Sequence, residues 1–115
     1  MTGLRRLFGG APEPPADLDA RLIAEMMAAG IDLSQPVHVD HVLTFRDERP
    51  ARQVVALLAG LGGELRIGHS GRRWVVQLTL PMRVTPERIA ALREQLEAVA
   101  ASHAGEYDGW GAAPP

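Results

Sequence analysis

The chain has no cysteine, which excludes disulfides, thiol nucleophiles, zinc ribbons and iron–sulfur ligation and leaves nothing to suggest an oxidising compartment. It has no lysine either. All 12 basic residues are arginine, so Schiff-base chemistry and the lysine of a phosphate-binding loop are ruled out. Aromatic residues are scarce, five in 115, and no apolar run approaches the ~20 residues of a bilayer span. Charge of one sign is also missing. Twelve arginines against 14 acidic residues give a net charge of -2, without the field expected of a general nucleic-acid binder. Arg5 and Arg6 run into Gly9, Gly10 and Pro12 with no apolar stretch of signal-peptide length, so the expectation is a cytoplasmic protein.

What remains is a single-domain length. Gly9 to Pro15 is rich in Gly, Pro and Ala and cannot sustain a regular hydrogen-bonded element. Residues 1–15 therefore read as a flexible segment and 16–115 as one domain. Leu18, Leu22, Ile23, Met26 and Met27 recur at helical spacing, with Asp17 or Asp19 placed to cap the helix and Gly30 to end it.

After Pro36 the period becomes two. Val37, Val39, His41, Leu43 and Phe45 alternate with His38, Asp40, Val42, Thr44 and Arg46, which predicts a strand with one apolar and one mostly polar face. Asp47 opens a second helical stripe through Ala51, Val54, Val55, Leu58 and Leu61, stopped by Gly62 and Gly63. Leu65 and Ile67 predict a short strand, Gly68 to Gly71 a turn, and Trp74, Val76, Leu78 and Leu80 the returning strand of a hairpin. Thr85 and Pro86 form a strong helix start, with Ile89, Leu92, Leu96, Val99 and His103 on one face. Glu106 to Ala113 is left as a final edge strand.

This order predicts an α+β domain: a ferredoxin-like βαββαβ plait, a four-stranded antiparallel sheet with two helices on one face, plus an N-terminal helix. The first and third strands would be central. Their uncovered sides would bring His38, Asp40, Thr44 and Arg46 beside Arg73, Gln77 and Thr79.

No catalytic constellation emerges from the chemistry-bearing residues. His38 and Asp40 share a strand face while His41 points to the other, so too few ligands converge for a metal site. His69 falls in the expected turn, solvated, and His103 lies near a helix C-terminus where the dipole favours it. Gly68 to Gly71 is one residue short of a nucleophile elbow and sits between strands. Gly60, Gly62 and Gly63 fail the dinucleotide fingerprint because Leu65 stands where its third glycine should. RNA binding across a plait's sheet uses exposed aromatics, and here Phe45 and Trp74 fall on the apolar side. Direct nucleic-acid binding is therefore not expected, nor is a cofactor.

The segment Glu106-Tyr107-Asp108-Gly109-Trp110-Gly111 is the most unusual in the chain. Tyr107 and Trp110 are expected to cover the core's edge while Asp108 and Gly109 make a bulge or turn. Alternatively, the aromatic pair anchors a partner. If Trp110 is buried, partner contact passes to Asp108 and Glu106.

That segment, following Ala104-Gly105, resembles the C-terminal signature of the RraB family, protein regulators of ribonuclease E. Two other stretches are similar to the same family: Arg21 to Gly30 with Asp32 after it, and Val39-Asp40-His41-Val42-Leu43. The resemblance implies a ferredoxin-like domain that is not an enzyme, needs no cofactor, and restrains RNA cleavage by binding ribonuclease E or its scaffold. The expected partner-binding residues are Glu106, Tyr107, Asp108, Trp110, His38, Asp40, Arg46, Arg73 and Gln77. The alternative is an RNA-binding or self-associating domain that uses the open sheet face.

Overall fold

The computed structural model describes residues 14–113. The expected flexible segment lies outside these residues except at its end, where Pro15 already belongs to a helix. That helix, α1 (Pro15–Ala28), is followed by β1 (Val37–Phe45), α2 (Glu48–Leu58), β2 (Glu64–Ser70), β3 (Arg73–Met82), α3 (Pro86–Ser102) and β4 (Gly105–Ala112), with a 3₁₀ turn over Ala59–Leu61.

Local chemistry sets most of the boundaries. Proline suits the first helical position, where its missing N–H leaves no bond unmade, and Pro14 occupies the cap of α1. Neither Asp17 nor Asp19 caps this helix as expected. Asp17 sits in the first turn, where the dipole favours a carboxylate, and Asp19 turns inward. The helix ends in a Schellman motif at Gly30 (φ +85), with Gly30 N–H donating to the Met27 carbonyl and Ile31 N–H to that of Met26. Asp47 is the N-cap of α2, but its side chain makes no capping hydrogen bond. The Thr85 hydroxyl does cap α3, accepting from Arg88 N–H at 3.1 Å, and Pro86 follows it.

The four strands form one antiparallel sheet in the order β2-β3-β1-β4. The central pair is β3 and β1, as the sequence implied. The β2–β3 turn is shorter than expected. Gly68, His69 and Ser70 continue β2, and only Gly71 (φ +60) and Arg72 make the bend. Positive φ at the first central position is the geometry of a tight hairpin turn that glycine accepts without steric cost. His69 therefore stands opposite Trp74, its ring edge-on to the indole with centroids 3.9 Å apart. It is a strand residue rather than a turn residue.

Alternation along β1 and β3 buries Val39, His41, Leu43, Phe45, Val76 and Leu78 on one side. Helices α2 and α3 cover that side together: Ala51, Val54 and Leu58 from one, and Leu96 and Ala100 from the other, join a single cluster with Leu43, Phe45, Val76 and Leu78. A second cluster of Met26, Val39, Val84, Ile89 and Trp110 fastens α1 to this layer. Burial of such side chains contributes about 1.5–3 kcal/mol each. The other face of the sheet carries mostly polar residues, with Val42 and Val75 among them.

Two glycines shape β4 for different reasons. A Cβ on Gly105 would lie 2.4 Å from the Phe45 ring and 2.7 Å from the Thr44 carbonyl oxygen, so this position has no room for a side chain. Gly109 meets nothing within 4 Å but has φ +125, a backbone state that disfavours other residues. It sits at a bulge. Gly109 pairs with Val42 and Tyr107 with Leu43, leaving Asp108 as the extra residue between them.

Candidate functional site

The nine residues expected to meet a partner separate onto two sides of the sheet. His38, Asp40, Arg46, Arg73, Gln77, Glu106 and Asp108 belong to the uncovered face or its margins. Tyr107 and Trp110 belong to the helix-covered side, where their register partners Leu43 and His41 are buried.

Trp110 is only 9% exposed. Its indole N–H donates to Asp19 Oδ1 at 2.9 Å, and the other oxygen of the same carboxylate accepts from Arg93 Nη1. Asp19 is thus a buried bridge that ties α1 to both α3 and β4, with the Asp19 side chain 5% and that of Arg93 16% exposed. A buried carboxylate is tolerated only when paired and hydrogen-bonded, and both conditions are met here. The indole therefore fills the edge of the core and is not a free anchor.

Tyr107 is also engaged. Its hydroxyl and His41 Nδ1 share a hydrogen bond at 3.0 Å, the tautomer deciding which of them donates. His41 is 1% exposed, and its Nε2 has no hydrogen-bond partner among the described residues. Burial lowers its pKa from 6.5 to about 4, outweighing the opposing effect of the neighbouring Asp40 charge. Burial also pushes the Tyr107 hydroxyl well above its ordinary value. Both groups are thus neutral near pH 7, as this side of the sheet requires.

The open face is ordered by its own polar contacts. Thr79 Oγ1 donates to Asp40 Oδ1 at 2.6 Å, and Arg73 Nη2 donates to Thr44 Oγ1 at 2.8 Å. Gln77 lies between Val42 on β1 and Arg66 on β2, and Glu106 stands opposite Thr44. His38 and Arg46 are exposed at the two ends of β1. Asp40 lies on β1 and Asp108 and Glu106 on β4; Glu106 shares with Arg46 and Arg73 the end of the sheet where the β2–β3 turn lies, opposite the Thr44 that Arg73 bonds.

Beside β4 the open face is bordered by α1. Leu18 and Leu22 of that helix, Val42 and Trp110 line a surface groove of about 310 Å³ together with Asp40 and Asp108; its backbone margin runs from Gly109 to Gly111. The sequence pattern assigned Leu18 and Leu22 to the core stripe of α1 and gave no sign that they border the polar face. The groove joins residues 18 and 111, which share no local sequence signal.

Among the described residues, no three or more His, Asp or Glu side chains converge to hold a metal ion. His38 and His41 lie on opposite faces, as their alternation requires. No described helix is long and apolar enough to cross a membrane.

No curated protein matches the sequence. Residues 16–112 match the family model described as regulator of ribonuclease activity B, a span that begins in α1 and ends at the last residue of β4. The match covers all three helices and all four strands, including the bulged strand and the helix whose Asp19 holds it. The chain thus belongs to the RraB family, regulators of ribonuclease activity.

Proposed function

We propose that this chain is a non-catalytic, cytoplasmic regulator that binds ribonuclease E or its associated scaffold and restrains RNA cleavage. The observation that supports this best is the family match over 16–112, combined with a polar sheet face that the core helices leave uncovered. We also read the fold as a ferredoxin-like plait. The βαββαβ order, the central β1 and β3, and the shared helix layer support that reading.

The partner-facing residues are His38, Asp40, Arg46, Arg73, Gln77, Glu106 and Asp108. Tyr107 and Trp110 support them from beneath. A protein partner fits better than RNA because the face presents no aromatic platform for stacking bases. Trp74 is on the opposite side, beside His69.

The test is a cleavage assay with purified ribonuclease E, its scaffold region intact, on a structured RNA. Adding this protein is expected to slow cleavage in a dose-dependent way, and a gel-shift with the same RNA alone is expected to show no complex. Unchanged cleavage with no co-purifying nuclease refutes the assignment. A salt-sensitive complex with RNA alone would favour the RNA-binding alternative.

A further inference from the structure

We propose that the groove between α1 and β4 is the seat of a single arginine side chain presented by a protein partner. The inference rests on the protein-binding reading above and deepens it by naming where the partner is read and by what chemistry.

The groove's shape restricts its occupant. At about 310 Å³ it is near the lower limit of ligand pockets, with room for one long side chain and not for a helix. Its width depends on glycine. Gly111 pairs directly with Asp40, so a side chain there would project onto the same face, and a Cβ at that position would meet nothing within 4 Å. The space beside Asp40 is therefore open because residue 111 has no side chain.

The chemistry restricts it further. Leu18, Leu22 and Val42 offer an apolar wall, and Asp40 and Asp108 offer two carboxylates. Asp108 makes no hydrogen bond or ion pair among the described residues. Asp40 accepts from Thr79 through Oδ1, and its Oδ2 has no partner among them. An arginine matches both parts, its methylene stem lying along the leucines and its guanidinium fork meeting carboxylate oxygens. Phosphate is repelled by the same pair of charges. A metal ion would need more ligands than two.

The test is an NMR titration of the ¹⁵N-labelled full chain with a short acetylated glycine–serine peptide carrying one central arginine. Saturable shifts are expected at the amides of Asp108, Gly109 and Gly111 and at the Trp110 indole. Asp108→Asn and Asp40→Asn should each weaken binding at least tenfold. Gly111→Val should do the same with both carboxylates retained, because it fills the groove. The same peptide with citrulline for arginine should not bind.

Any of four results of the titration overturns the proposal. They are shifts elsewhere on the surface, undiminished binding by Gly111→Val, the same shifts produced by oligouridylate, or concentration-dependent shifts without peptide that mark a second copy in the groove. If Gly111→Val does not fold, the Asp108→Asn variant decides alone. Capture of ribonuclease E is measured separately. Full capture by Gly111→Val overturns the groove and leaves the regulator reading intact, whereas peptide binding without nuclease capture supports the groove and removes the nuclease as partner.

Discussion

Lowering the pH should destabilise the domain chiefly through His41. Its imidazole is buried on the helix-covered side with Nε2 unpartnered, and burial lowers its pKa from 6.5 to about 4. Between those two values the unfolded chain binds a proton that the folded chain refuses, so stability falls as pH drops through this window and is flat above it. Integrating that difference from pH 7.5 to pH 4.5 gives a loss of about 2–3 kcal/mol from this one group. For a domain of this size that is a fall in Tm of roughly 10–20 °C. The assay is a pair of urea melts at the two pH values on the wild-type chain and on His41→Leu, which keeps the apolar packing and cannot titrate. Other groups contribute equally to both chains, so the difference in pH dependence isolates the imidazole. A variant that loses as much stability on acidification as the wild type, or an NMR titration placing His41 near 6.5, would refute the reasoning.

Three further outcomes follow from the packing. Trp110→Ala should cost about 3–5 kcal/mol by emptying the edge of the core, while Asp108→Ala, at the bulge and unpaired, should leave the thermal melt nearly unchanged; the reverse ranking would return Trp110 to the role of partner anchor. Gly105→Ala should destabilise by about 1–3 kcal/mol, since its Cβ would run into the Phe45 ring and the Thr44 carbonyl; a chemical melt checks it. Thr85→Ala should cost about 1 kcal/mol through loss of the α3 cap, measurable by the same melt.

The sequence revealed what depends on near neighbours and period. Alternation in β1 placed Val39, His41, Leu43 and Phe45 on one buried side, and Thr85-Pro86 located the start of α3 to the residue. The bulge at Asp108 and Gly109 and the covering role of Trp110 were also readable from a pair of aromatics set among glycines. What escaped depends on distance along the chain. Asp19 meets Trp110 across 91 positions and Arg93 across 74, and a buried carboxylate has no local signature that separates it from a capping one. The His41–Tyr107 pair spans 66 positions and looked like ordinary strand alternation at each end. Of the turn expected over Gly68 to Gly71, Gly68 to Ser70 belong instead to β2, an exposed edge strand. With little packing to demand apolar residues, small and polar ones resemble a turn. His38, Asp40, Thr44, Arg46, Arg73, Gln77 and Thr79 are readable as one surface, but the groove is not, because one of its walls is Leu18 and Leu22, which the pattern assigns to the core stripe of an amphipathic helix.

The Asp19 bridge sets the motional hierarchy of the domain. The strands hold one another by continuous backbone ladders, whereas α1 is held by a second small cluster and one carboxylate shared between Arg93 and Trp110. It is therefore the element best suited to detach as a cooperative unit while the sheet persists, and amide exchange should proceed faster along Leu22 to Met26 than along Val39 to Phe45. Because Leu18 and Leu22 form one wall of the groove, each such detachment erases the binding site, and an occupant must in turn slow the exchange of α1. Breaking the bridge with Asp19→Asn would then weaken binding at a groove whose own atoms had not been altered.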